Sequence, residues 1–115
     1  MKSLSQRQQE AAEILGDDMK HPKLGAVLAL VEELGEMVQE VMEAEIYRQG
    51  TPEDFRAKLG DEAADTLFSL FEVCTAFGVN LEEAYDQKLA KIQTKIPTWR
   101  EKFTEGLQQS RTKLD

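Results

Sequence analysis

Apolar residues in this chain return every three or four positions, and nowhere do they alternate one in, one out. That periodicity limits the fold to packed helices, because a half-buried strand needs a period of two. Few glycines and prolines interrupt it, so the breaks mark the helix ends. A first helix is expected from about Ser5 to Met19, ending before His21-Pro22, with Ala12, Ile14 and Leu15 as modest apolar contacts. A second is expected from Lys23 to about Tyr47, with Val27, Val31, Leu34, Val38 and Val41 on one stripe and Gly50 closing it.

Thr51-Pro52-Glu53-Asp54 is the clearest start signal: Thr51 caps, Pro52 takes the first helical position and Asp54 stands three residues after the cap. The helix it opens should run to about Phe77. Gly78-Val79-Asn80 reads as a left-handed stop and a new cap, followed by a fourth helix from Leu81 to about Ile96. Pro97 is expected to break it, leaving Trp99, Phe103 and Leu107 for a final docking helix whose last residues fray. The expected class is all-α, a four-helix bundle-like core with a C-terminal extension, its core completed by association of chains. Length bounds the rest: 115 residues suit one domain over 1–115, with a core at about 24–96 and an extension at 97–115.

Hydrophobic residues make up 41%, enough for a packed core rather than an acidic disordered chain. The formal charge of −8, from 22 acidic and 14 basic residues, disfavours unaided binding to a nucleic acid polymer or an anionic membrane. An anionic substrate would need divalent cations as bridges. The single cysteine, Cys74, has no intrachain disulfide partner and reads as a core thiol. The amino terminus turns polar at once and no apolar run approaches a membrane span, so a cytoplasmic location is the default expectation.

Acids at i and i+3 share a helical face, so Glu33 with Glu36 and Glu62 with Asp65 each make an oxygen claw. Mg²⁺ takes about six oxygens, several of them water, which leaves positions for substrate phosphates. On the second helix an ordinary surface explains the acids equally well, since Glu32, Glu36, Glu40 and Glu43 fall opposite the valine stripe. On the third, apolar residues including Phe55, Leu59, Leu67, Phe71, Val73 and Cys74 wrap most of the circumference, and Glu62 falls at the edge of that arc with Asp65 just beyond. Carboxylates crowded beside a buried face repel unless protonated or bridged by a cation. Spacing alone leaves the metal and surface readings both open.

The order Glu32-Glu33-Leu34-Gly35-Glu36, a spacer of 25 residues, then Glu62-Ala63-Ala64-Asp65 resembles the MazG-like branch of the all-α NTP pyrophosphohydrolase superfamily, whose hallmark is EExxE followed by ExxD. The likeness spans about Leu24 to Ile96, including Asp61 and the turn Gly78-Val79-Asn80-Leu81-Glu82-Glu83-Ala84. By resemblance, Glu33, Glu36, Glu62 and Asp65 match the metal-binding acids and Glu32 the paired first position. The resemblance implies a Mg²⁺-dependent enzyme, with Mn²⁺ as a substitute, that cleaves (deoxy)nucleoside triphosphates between the α and β phosphates, giving a monophosphate and pyrophosphate in nucleotide-pool sanitation. It also implies a homodimer or homotetramer. Glu32 and Glu36 are the candidates for the general base.

Lys88, Lys91 and Lys95 share one face of the last core helix and are the candidates for the phosphates, against the plainer reading of a solvated face paired with Glu82, Glu83 or Asp86. Ile92 and Thr94 depart from the polar or basic residues that the family carries there. Phe68, Phe71, Phe77 and Trp99 stand at core-like spacing, so none is assigned to a nucleobase. His21, in a loop before Pro22, reads as a surface residue, and Gly35 in mid-helix as a point of close helix approach. Two other functions stay in play: a phosphoribosyl-ATP pyrophosphohydrolase-like enzyme sharing these motifs, and a non-catalytic helical oligomerisation or regulatory module. A di-iron bundle is set aside, since its two Glu-x-x-His motifs cannot come from one histidine.

Overall fold

The computed structural model describes residues 1–115 as four helices without a strand: α1 Leu4–Met19, α2 Lys23–Glu45, α3 Pro52–Ala76 and α4 Leu81–Leu114. The all-helical class follows from the periodicity. Two compact units divide the chain, Met1–Leu81 and Glu82–Asp115. The first holds α1, α2 and α3, with α3 packed against both of the others.

Side-chain chemistry fixes the helix ends. Ser3 opens α1 with a capping box: its hydroxyl accepts from the Gln6 amide at 3.1 Å, and the Gln6 side chain accepts from the Ser3 amide at 2.7 Å. Thr51 opens α3 in the expected way, its hydroxyl accepting from the Asp54 amide at 3.1 Å with Pro52 in the first turn. Glu53 and Asp54 complement the positive end of the α3 dipole. Gly78, at φ 71°, turns the chain out of α3 in the left-handed region that glycine enters freely.

The buried core of the first unit is small: Ala11 on α1, Ala26 on α2, and Phe71 and Cys74 on α3. Burial raises the pKa of the Cys74 thiol and keeps it un-ionised. Buried Gln8 ties α1 to the end of α3. Its amide nitrogen donates to Thr75 Oγ1 at 3.2 Å and to the Val79 carbonyl at 2.8 Å, while its oxygen accepts from the Leu81 amide at 3.0 Å.

Four features depart from the expectations. Pro97 does not break the fourth helix, which runs unbroken to Leu114. A proline removes only one backbone bond, and the carbonyl it leaves, that of Gln93, lies on an exposed stretch where water can satisfy it. Gly16, at φ 61°, kinks α1 one turn before its end. The valine stripe of α2 is not its packed side: Val31, Leu34, Val38 and Val41 are exposed, as are Leu24 and Leu28 beside them, and of the stripe only Val27 is half-buried. Among the residues that α2 withdraws from solvent, Ala26, Leu30, Glu33, Met37, Glu40 and Ala44 form a row spaced by four and three. No atom lies within 4 Å of where a Gly35 side chain would begin, so no close approach within the chain accounts for that glycine. No helix is long and apolar enough to cross a membrane.

Candidate metal centre

Choosing the Ala26-Leu30-Met37 seam over the valine stripe carries Glu33 into the contact between α2 and α3. Glu62 and Asp65, one turn apart on α3, meet it there. One carboxylate oxygen from each of Glu33, Glu62 and Asp65 lies within 4.8 Å of the others. Glu33 and Glu62 are half-buried and Asp65 is exposed. Each of the half-buried pair has one oxygen, Glu33 Oε2 and Glu62 Oε2, that is shut off from solvent and has no hydrogen-bond partner.

A buried acceptor without a donor is costly, and two acceptors facing a third carboxylate cannot satisfy one another unless one is protonated. Burial and crowding favour the protonated forms of the half-buried pair. Burial pushes Glu62 up to about 7, helped by its hydrogen bond with Glu36 and by the charges of Glu36, Asp65 and Glu33. Glu33 is raised from 4.5 first by burial, then by Glu36, Asp65 and Glu32. A divalent cation at the same place meets both needs at once, since it supplies positive charge and takes up the unpartnered oxygens. Glu33, Glu62 and Asp65 therefore fit a hard, oxygen-liganded ion.

The other candidate residues are not members of this cluster. Glu36 is exposed and hydrogen-bonds to Glu33 and Glu62 at the rim of the cluster. Glu32 is exposed beside it and contributes charge rather than a contact. Lys88, Lys91 and Lys95 are exposed along α4. Of the aromatic residues, Phe71 is core, and Phe77 lies under the ammonium of Lys23 at 5.8 Å from the ring centre.

His21 is more than a loop residue. Its Nδ1 lies 2.8 Å from Glu72 Oε1 and its backbone amide donates to Glu72 Oε2 at 2.7 Å, so one carboxylate pins the α1–α2 connection to α3. The Glu72 side chain is only 9% exposed. The signal in the sequence is that Glu72 is the one acid in the apolar run from Leu67 to Phe77, in a chain with one histidine to answer it.

The fold and the cluster define an all-helical protein whose α2–α3 seam carries the oxygen donors that a divalent cation takes. The family model of the MazG nucleotide pyrophosphohydrolase domain matches residues 22–99, and the chain belongs to that family. The match starts after α1, contains every acid of the cluster, and ends just beyond Pro97. No curated protein and no solved structure matches the chain.

Proposed function

We propose that the protein is a Mg²⁺-dependent nucleoside triphosphate pyrophosphohydrolase acting on (deoxy)nucleotides, in keeping with a role in nucleotide-pool sanitation. One observation carries this reading: two half-buried carboxylates from different helices, each with an orphaned oxygen, face an aspartate within 4.8 Å. Glu33, Glu62 and Asp65 are the direct ligands and Glu36 joins them from the rim. When bound, Mg²⁺ (or Mn²⁺) supplies charge neutralisation for the phosphates and a lowered pKa for water.

The residues of the chain do the rest. Glu36 or Glu32, exposed at the edge of the cluster, takes a proton from the attacking water. The oxygen of that water forms a bond to the α phosphorus, and the bond from the α phosphorus to the bridging oxygen breaks. Pyrophosphate leaves with that oxygen, and the nucleoside monophosphate remains. Lys88, Lys91 and Lys95 are the cations for the phosphate charge that the metal does not cover, in a homodimer or homotetramer working in the cytoplasm.

The test is a panel of dNTPs, NTPs and phosphoribosyl-ATP assayed with and without Mg²⁺ for released pyrophosphate. The expected result is metal-dependent formation of monophosphate and pyrophosphate in equal amounts from one or more nucleoside triphosphates. Turnover of phosphoribosyl-ATP alone reassigns the substrate, and nucleoside diphosphate with orthophosphate as products refutes the reaction.

A further inference from the structure

The end of α1, the connection after it and the end of α3 enclose a cavity of about 550 Å³, within the ordinary range for small-molecule sites. Ala12, Leu15, Pro22 and Ala76 give it apolar walls. Two local features shape it. The kink at Gly16 takes the chain off the axis of α1, and the His21 clamp on Glu72 ties the connection back to α3. Gly16, His21 and Glu72 all line the space.

Its position relative to the metal centre follows from the geometry of α3. Asp65, Glu72 and Ala76 fall within about 40° of one another at 100° per residue. One flank of α3 therefore carries an acid of the metal centre and, about 10 Å further along at 1.5 Å per residue, the near wall of the cavity. The spaces lined by Glu40, Glu43 and Asp54 and by Arg7, Ile14 and Phe68 are smaller, about 150 and 240 Å³, and the first of them is acidic.

We infer that this cavity seats the sugar and base of the nucleoside triphosphate, an inference that deepens the proposed function and rests on it. With the phosphates at the acids of the α2–α3 seam, the rest of one nucleotide spans the distance along α3. The apolar walls suit the faces of a base. Of the two acids that line the cavity, Glu72 is taken by His21 and Asp17 by Lys20 at 3.2 Å, so neither stands unpaired against an anionic substrate. Lys23 has no carboxylate partner, and the Thr75 hydroxyl, which accepts from Gln8, keeps a proton to donate. Both can donate to oxygens of the sugar or base.

The placement divides the work between two parts of the chain. Every acid of the metal centre lies within the residues 22–99 that match the family, whereas Ala12, Leu15 and Gly16 lie ahead of them. Phosphate handling then belongs to the matched region, and selection of the nucleoside to α1 and its connection.

The test reads binding rather than turnover. Calorimetry on the full chain with Mg²⁺ compares inorganic tripolyphosphate with the α,β-methylene analogues of the four dNTPs, which resist cleavage between those phosphates. At least one analogue should bind about 10-fold or more tightly than tripolyphosphate, as burial of a base against apolar walls predicts. Ala12→Phe and Ala76→Phe, which fill the cavity, should lose that preference with tripolyphosphate affinity and helix content unchanged. Ile14→Phe, at an exposed site on the other side of α1, should keep it. A photo-cross-linker on the base of the best-bound analogue should attach to residues 12–23 or 72–76 of the unaltered chain, a result that needs no variant to fold. Tripolyphosphate binding without a nucleotide preference, a preference that survives both cavity-filling variants, or attachment elsewhere overturns the seat and leaves the metal and phosphate reading standing. Binding of neither compound overturns both.

Discussion

Glu33 on α2 and Glu62 on α3 each carry one buried, partnerless carboxylate oxygen, and one oxygen of each residue lies within 4.8 Å of the other and of Asp65. Neighbouring acids this close repel, and no lysine or arginine forms an ion pair with any of the three. A cation in the α2–α3 seam would relieve that repulsion. Its chemistry follows from which face of α2 is packed.

Replacing Glu33 with Gln, or Asp65 with Asn, keeps the side-chain shape and removes a negative ligand. Turnover should fall by at least about 100-fold in either variant, since even the outer partners of a metal site are worth about 10–100-fold. Helix content by circular dichroism should not change. Full activity in both variants contradicts the assignment of the site.

Glu62 makes the metal-free protein respond to pH. Its folded pKa of about 7 lies above the ordinary 4.5, so the folded state binds the proton more tightly than the unfolded chain does. That contribution is fully present below pH 4.5 and is lost as pH rises through about 7. Melting of metal-free protein across that window should show a falling midpoint, and Glu62→Gln should flatten the fall and melt higher than the parent at pH 8. A Glu62→Gln protein that keeps the parent's pH profile removes Glu62 as the cause.

The clamp between His21 and Glu72 predicts a different effect, on stability without chemistry. Glu72 accepts two hydrogen bonds from His21 while nearly buried, so Glu72→Ala should cost about 2 kcal/mol, typical of hydrogen bonds to a charged group. Chemical denaturation measures it. Divalent cation binding, which uses other carboxylates, should persist in the folded variant.

Much of this architecture is legible in the residues. The Thr51-Pro52 start and the Gly78 stop place α3 to within a residue or two, because caps act through local chemistry that needs no neighbour. The position of Glu62 beside an apolar arc is legible for the same reason: one helix carries the whole signal. The setting of α2 is not, since this helix has two apolar sides. Periodicity favours the larger side chains of Val31, Leu34 and Val38, whereas packing against α3 takes the smaller Ala26 and Ala44 with Leu30 and Met37. That setting places Glu33 on the packed side of α2, where it meets Glu62.

Pro97 and Gly16 were hidden for opposite reasons. A proline is tolerated in α4 because its helix is exposed there and water stands in for the missing donor. Gly16 bends α1 where the pattern still looks helical, since a single left-handed residue leaves the spacing of its neighbours nearly unchanged. The His21 clamp needs a contact across 51 positions, which no local pattern announces.

Calorimetric titration of the metal-free protein with Mn²⁺ shows whether the acids of the α2–α3 seam hold a divalent cation. Saturable binding is predicted near pH 7, with protons released into the buffer as the ion displaces those held by Glu62, and loss of both signals in Glu33→Gln. Absence of saturable binding at millimolar Mn²⁺, or identical binding by Glu33→Gln, contradicts it.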